Sequence, residues 1–95
     1  MNQKTIHKRA ELIYTIMNDF IEPTDGMVFV IDNEDYYSVT MIINKYSVEG
    51  KITLKLITNT TLKQFKDIIE AQAQHMISSL LKHIYDCKYK GEVNV

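Results

Sequence analysis

The sequence predicts an α+β fold in which a helix, a three-stranded antiparallel meander and a long second helix follow one another. Apolar residues recur every three or four positions near both ends of the chain, which is the spacing of an amphipathic helix. In the middle of the chain they alternate with polar residues, which is the spacing of half-buried strands. The chain has 95 residues, enough for one modest core, so we expect a single domain over residues 1–95 with both helices on one face of the sheet.

The first helix is predicted at about residues 5–20. Its apolar stripe, at spacings of three and four residues, consists of Ile6, Ala10, Ile13, Met17 and Phe20. Pro23 disfavours helical geometry at the residue before it, and residues 24–26 are of the types that favour a turn. The helix is therefore expected to end close to Phe20.

Three strands are predicted at about residues 27–31, 36–48 and 51–58. The first is a short run of β-forming apolar residues, followed by an acidic turn. The second and third strands flank Glu49 and Gly50, which we expect to form a two-residue hairpin turn because glycine readily adopts a positive φ. That turn would place Ile43 opposite Leu56, with the apolar residues of both strands on the same side of the sheet.

The second helix is predicted at about residues 61–89, with a tail at 91–95. Thr61 and Gln64 have the spacing of a capping box, in which the two residues satisfy each other's backbone N–H groups at a helix start. About 28 residues at 1.5 Å each give a helix of about 42 Å, which is longer than a small sheet needs as cover. The excess length predicts a homodimer formed through this helix; the alternative is that the first helix covers the excess.

Charge is unevenly distributed along a chain whose net charge is −1. Residues 10–44 hold seven carboxylates and no lysine or arginine, whereas residues 1–9 and 45–95 each carry an excess of positive charge. This pattern predicts an acidic surface that attracts a basic partner, with neighbouring tyrosines as anchors. The candidate partner-binding residues are Asp19, Glu22, Asp25, Asp32, Glu34, Asp35, Tyr36 and Tyr37.

In size, composition and style the chain resembles small phage proteins that block host nucleases, including anti-CRISPR proteins. The resemblance implies a non-enzymatic inhibitor that occupies a basic surface of a nucleic-acid-handling protein. The abundance of isoleucine, lysine and asparagine is also typical of an AT-rich genome, such as that of a low-GC bacterium or its phage.

The alternative is a small nucleic-acid-binding protein. The order helix, three strands, helix is similar to that of double-stranded-RNA-binding domains and of the small YbaB-type nucleoid proteins, a resemblance of element order alone. A duplex-binding surface neutralises several phosphates with basic side chains. The candidate residues are Lys45, Lys51, Lys55, Lys63 and Lys66. Of these, Lys51 and Lys55 are expected to share a strand face.

A third hypothesis is a metal-dependent nuclease. Glu49-Gly50-Lys51, with Asp35 upstream, resembles the acidic and Glu-x-Lys motifs of the PD-(D/E)XK class, which hold magnesium at the scissile phosphate. The chain departs from that pattern because its motif contains the expected turn glycine and no loop proline precedes the aspartate. We therefore expect a protein that is not an enzyme.

No catalytic residue, cofactor site or metal site is predicted. The acidic turn lacks the ligand spacing of a calcium loop, and His83 with Cys87 would supply only two of the ligands that zinc needs. Cys87 also has no recognisable orienting acid or oxyanion loop for nucleophilic catalysis.

The expected location is the cytoplasm. A single cysteine cannot form a disulfide within one chain, which fits a reducing compartment. The positive N-terminus is not followed by the apolar segment of a signal peptide, and no apolar run approaches the roughly 20 residues that span a bilayer. No membrane partner is therefore expected.

Overall fold

The computed structural model describes the backbone of residues 3–93 and the side chains of residues 3–88. A meander of three antiparallel strands lies between an N-terminal helix and two C-terminal helices, which confirms the predicted α+β class and element order. The elements are α1 (Gln3–Ile21), a 3-10 turn (Glu22–Thr24), β1 (Met27–Asp32), β2 (Tyr36–Ile43), β3 (Tyr46–Thr53), α2 (Leu54–Asn59) and α3 (Leu62–Val93).

The core lies between the sheet and the two long helices. The strands are ordered β1-β2-β3, α1 packs on β1, and α3 packs on β3 and along α1. Both helices therefore cover the same face of the sheet, and we call the opposite, uncovered side the outer face. The fully buried side chains of the core include Ile13, Met17, Val39, Met41, Ile52, Phe65 and Ile69.

The predicted hairpin turn at Glu49-Gly50 is wrong. The chain reverses at Asn44 and Lys45, β2 ends at Ile43 instead of residue 48, and Ile43 pairs with Tyr46 instead of Leu56. Asn44 has a φ of 56°, a left-handed conformation that asparagine tolerates better than most residues. Polar and apolar residues alternate on both sides of Glu49-Gly50 and also on both sides of Asn44-Lys45. The alternation alone therefore does not distinguish the predicted strand register from the observed one.

Gly50 lies inside β3, where close packing rather than a turn accounts for the glycine. It pairs with Val39 on the covered face of the sheet, directly under α3. A Cβ at this position would come within 2.7 Å of the Gln72 amide nitrogen and 2.9 Å of the Met76 sulfur. The missing side chain therefore allows α3 to cross close to the strand.

The predicted third strand at 51–58 is also wrong at both ends. β3 ends at Thr53, whose hydroxyl accepts a hydrogen bond from the Leu56 N–H at 3.2 Å and so caps the short helix α2. Ile57 is fully buried on this helix. The alternating apolar residues of the segment resemble a strand, but the cap and the burial of Ile57 favour a helical turn in this tertiary setting.

A buried arginine joins α1 to the junction between α2 and α3. Arg9 is 7% exposed, and its Nη1 donates hydrogen bonds to the carbonyl oxygens of Ile57 and Thr60, at 2.5 and 2.8 Å. Its guanidinium carbon lies 5.3 Å from the centre of the Phe65 ring. Arg9 therefore caps the C-terminal end of α2 from a distant helix.

The capping box at the start of α3 is confirmed. The Thr61 N–H donates to Gln64 Oε1 at 2.9 Å, and the Gln64 N–H donates to Thr61 Oγ1 at 3.2 Å. The helix then continues through Val93, so the tail predicted from Gly91 is wrong as far as Val93. Its remaining residues, 94 and 95, lie outside the described residues.

The long third helix extends well beyond the sheet. The described part of the molecule measures 56 × 23 × 20 Å, and its radius of gyration of 15.1 Å exceeds the roughly 12 Å of a compact chain of this length. Leu80 is buried, whereas Leu81 and Tyr85 are 45% and 61% exposed. The predicted excess length is therefore present, and a homodimer through it stays a prediction.

Candidate protein-binding groove

The six predicted acidic residues fall into two groups at opposite ends of β1. Asp19, Glu22 and Asp25 lie at the connection from α1 to β1, while Asp32, Glu34 and Asp35 surround the turn from β1 to β2. β1 spans about 17 Å between these ends at roughly 3.4 Å per residue. All six side chains are exposed, but the structure does not bring them together into one acidic patch.

The acidic turn between β1 and β2 has a structural role of its own. Asp32 Oδ1 accepts a hydrogen bond from the Glu34 N–H at 2.9 Å, and the Asn33 N–H donates to the Tyr36 carbonyl oxygen at 2.9 Å. Glu34 takes a left-handed φ of 71°. Asp32 therefore shapes the turn and still presents its carboxylate to solvent.

The two predicted tyrosines lie on opposite faces of the sheet. Tyr36 lies on the outer face, where the Lys51 ammonium is 4.1 Å from the centre of its ring. Tyr37 is on the covered face, partly buried, and pairs with Asp32 across the sheet. Burial, and then repulsion by the Asp32 carboxylate, raises the pKa of the Tyr37 phenol above its ordinary value of 10.0.

The raised pKa of Tyr37 predicts a loss of stability in alkali. Above pH 10 the unfolded chain loses the Tyr37 proton before the folded protein does, so the free energy of unfolding falls as the pH rises through the folded pKa. In urea titrations between pH 9 and 11.5, we expect Tyr37→Phe to lose less stability than the wild type. Tyr36→Phe, on the other face, is the matched control, and an equal benefit from both substitutions would contradict the assignment to Tyr37.

A groove of about 480 Å³ lies between α1 and β1, and we call it the α1–β1 groove. Carboxylates from both walls and the rings of Tyr14 and Tyr37 line it, together with apolar strand residues. The full lining is His7, Ala10, Glu11, Tyr14, Val28, Phe29, Val30, Asp32 and Tyr37, with no lysine or arginine. The groove is therefore both amphipathic and acidic, and of the predicted partner-binding residues it contains Asp32 and Tyr37.

The helix wall of the groove was not predicted as a site. His7, Glu11 and Tyr14 follow one another at spacings of four and three, so they form a stripe beside the buried face of α1. His7 Nε2 lies 3.3 Å from a Glu11 carboxylate oxygen, and both side chains are largely exposed. This stripe was visible in the sequence, but only the fold shows that it faces β1.

The strand wall of the groove is the free edge of the sheet. The Asn33 N–H donates to the Tyr36 carbonyl oxygen, so these two residues form a hydrogen-bonded pair between β1 and β2. Such pairs recur at every second residue of an antiparallel ladder, so the N–H and C=O groups of Phe29 and Ile31 also point to β2. Val28, Val30 and Asp32 consequently direct theirs away from the sheet. Of the devices that protect edge strands, β1 has no proline or lysine, and its one charged residue is Asp32 at its C-terminal end.

The outer face of β1 carries a row of exposed apolar side chains. Met27, Phe29 and Ile31 are 57%, 44% and 55% exposed, and Ile42 lies beside Met27 on β2. Exposed apolar residues are ordinary when they are scattered, whereas these three form a contiguous row along the edge strand. The row meets the α1–β1 groove at Phe29, which belongs to both.

The predicted nucleic-acid-binding lysines are spread over several elements. Lys45 is in the turn before β3 and Lys51 lies on the outer face about 17 Å along that strand. Lys55 belongs to α2, so the prediction that it shares a strand face with Lys51 is wrong. Lys63 and Lys66 lie in the first turns of α3, where Lys66 and Lys8 line a second groove of about 400 Å³ against α1.

The residues of the nuclease and metal hypotheses lie apart from the α1–β1 groove. Glu49 and Lys51 are on the outer face of β3, and Asp35 is in the turn before β2. Cys87 Sγ is 3.7 Å from His83 Nε2 on the exposed side of α3. Among the side chains of residues 3–88, no group of three or more His, Cys, Asp or Glu is placed to hold a metal ion.

Comparison with protein-family models, with curated proteins and with solved structures finds no match to this chain. Within residues 3–93, no helix combines the length and the apolar character that a membrane crossing requires.

Proposed function

We propose that this chain is a non-enzymatic protein-binding module that engages a basic surface of its partner through the α1–β1 groove. The observation that carries the proposal is an amphipathic groove whose lining holds no lysine or arginine, placed beside a sheet edge that carries no proline or lysine. Protein-binding surfaces commonly combine aromatic anchors with charges that steer the partner. Tyr14 supplies an exposed anchor, and Glu11 and Asp32 supply the charges.

The carboxylates of the groove are available to a partner. Apart from the contact with His7, Glu11 makes no ion pair with a described residue, and Asp32 accepts only a backbone hydrogen bond. Neither carboxylate is neutralised by a lysine or arginine of the described chain. A basic partner would therefore pair with Asp32 without displacing an ion pair, and at Glu11 it would compete only with His7.

The class of partner we propose is a protein that handles nucleic acid. Such a protein carries a basic surface because it must neutralise phosphates. A module that occupies that surface competes with the nucleic acid and acts as an inhibitor. The separation of the acidic residues limits the contact to the Asp32 end of β1, rather than to the whole segment from Asp19 to Tyr37.

The proposal can be tested with octalysine as a probe of basic polypeptide. In a titration followed by NMR of the ¹⁵N-labelled protein, we expect shifts at Ala10, Tyr14 and Val30. The double variant Glu11→Gln/Asp32→Asn should weaken binding roughly 3- to 10-fold, because two exposed charge pairs are lost. Asn at position 32 keeps the oxygen that accepts the Glu34 N–H.

The matched control is Asp19→Asn/Asp25→Asn, which changes the net charge equally at the other end of β1. We expect this control to bind octalysine as the wild type does at 150 mM salt. Equal weakening in both double variants would show that only the net charge attracts the probe. Shifts that map away from the α1–β1 groove would also contradict the proposal.

A further inference from the structure

We infer that the occupant of the α1–β1 groove is an extended segment of the partner that adds to β1 as a fourth strand, with basic residues on one face and apolar residues on the other. This inference rests on the proposed function, because it specifies how the same groove is filled. Strand addition to a free sheet edge is an established mode of peptide recognition, in which backbone hydrogen bonds give affinity and side-chain contacts give specificity.

The backbone of β1 offers the required hydrogen-bonding groups. Val28, Val30 and Asp32 direct their N–H and C=O groups away from β2, as the ladder alternation requires. Within residues 3–93, no backbone hydrogen bond joins these groups to another element. A segment of about five or six residues would match the length of the strand.

The surroundings of β1 determine the chemistry of the incoming side chains. Those that point to the covered side would lie beside Val30 and Asp32 and face Glu11 and Tyr14 of α1. Lysine or arginine fits there, because its apolar stem packs on Val30 and Tyr14 while its charge meets the carboxylates. Basic residues are therefore expected at every second position.

Side chains on the other face of the incoming segment would extend the apolar row of β1. They would lie next to Met27, Phe29 and Ile31, which are about half exposed on the outer face. Apolar side chains at these alternate positions would remove that row from water. The expected segment therefore alternates basic and apolar residues.

A second copy of this chain fits the edge less well. If another β1 were added, its covered-side residues would be Val28, Val30 and Asp32, so it would bring a carboxylate and no cation to the groove. Charge complementarity therefore favours a basic segment of a different protein over a homodimer through β1.

The test uses three synthetic octapeptides that alternate lysine and valine, with both ends blocked. One is unmodified, one carries a methyl group on the backbone nitrogen of each lysine, and one carries it on the backbone nitrogen of each valine. All three therefore have the same side chains and the same charge. Strand addition requires that one methylated peptide loses binding and the other keeps it, because only alternate N–H groups face β1. Loss in the lysine-methylated peptide would indicate an antiparallel segment, and loss in the valine-methylated peptide a parallel one.

A pair of protein variants tests the same bonds from the other side. Val30→Pro removes an N–H that points away from β2, so the β1–β2 ladder is retained. We expect this variant to bind the unmodified peptide at least 10-fold more weakly than the wild type. Val30→Ala truncates the same side chain but keeps the N–H, and we expect less than a 3-fold change. A cooperative thermal unfolding transition in each variant is the control that both are folded.

The outcomes separate this inference from the proposed function. Equal binding of both methylated peptides, or equal effects of Val30→Pro and Val30→Ala, would overturn strand addition. If strand addition is overturned but Glu11→Gln/Asp32→Asn still weakens octalysine binding, the proposed function stands without strand addition. If that double variant has no effect, the proposed function falls as well. A concentration-dependent dimer in light scattering that Val30→Pro dissociates would assign the edge to a second copy and overturn the inference.

Discussion

Replacing Arg9 with methionine is expected to lower the free energy of unfolding by about 2–4 kcal/mol. The substitution leaves the carbonyl oxygens of Ile57 and Thr60 without their donor at the end of α2. It also removes the guanidinium that packs on the Phe65 ring. A six-residue helix is too short to be stable by itself, so loss of this cap should loosen the whole connection between β3 and α3.

Urea unfolding of Arg9→Met measures this loss, with Lys8→Met as the control. Lys8 is the neighbouring residue on α1, is exposed and makes no described hydrogen bond, so its replacement should change stability by less than about 0.5 kcal/mol. Arg9→Lys keeps the charge but not the planar guanidinium, and its stability should lie between the two. An Arg9→Met variant as stable as Lys8→Met would show that water satisfies the α2 carbonyls equally well.

Gly26→Ala is expected to lower the free energy of unfolding by about 1–3 kcal/mol through overpacking. A Cβ at Gly26 would lie 2.7 Å from the backbone oxygen of Ile42 and 2.7 Å from Cγ1 of Ile21. Ile42 belongs to the central strand, which is paired on both sides, so its carbonyl cannot move away without disturbing the sheet. The added methyl group must therefore displace the start of β1.

Gly50→Ala is the matched control for Gly26→Ala. Its Cβ would also meet atoms within 3 Å, but these are the ends of the Gln72 and Met76 side chains, which can rotate. Alanine also restricts the unfolded chain, which offsets part of the strain. Thermal and urea unfolding should therefore show a smaller loss for Gly50→Ala, and the reverse order would contradict the assignment of fixed and movable neighbours.

The helices were predictable because their signals are local. The apolar stripe of α1 and the capping box of Thr61 with Gln64 depend on residues within a few positions of each other, and both occur where the sequence places them. The meander order was predictable too, because one short apolar run and two alternating segments in succession favour neighbouring antiparallel strands. These features require no knowledge of distant contacts.

The hairpin register and α2 were not predictable in the same way. Gly50 is a suitable turn residue, and its actual role depends on Gln72 and Met76, more than 20 residues away. Residues 54–58 continue the polarity pattern of a strand, and only the Thr53 cap and contacts with α1 favour the helix. Tertiary packing therefore decided between alternatives that the local pattern left equal.

The candidate site was partly predictable from charge. The segment without lysine and arginine includes Asp32, Tyr37 and the whole of β1, which line or border the α1–β1 groove; that they bind a partner stays a prediction. The predicted strand at 27–31 already implied that Asp25 and Asp32 lie at opposite ends of an extended segment, but the prediction of one acidic surface did not take that distance into account. Glu11 was counted among the carboxylates, but its position opposite the strand depends on how α1 packs.

The bond from Arg9 to Thr60 also has a consequence for synthesis on the ribosome. The two residues are 51 positions apart, so α1 is made long before the carbonyl groups that satisfy its arginine. At 5–20 residues per second, roughly 3–10 s pass between translation of the donor and of its acceptors. Arg9 therefore cannot complete these hydrogen bonds until the end of α2 has been translated.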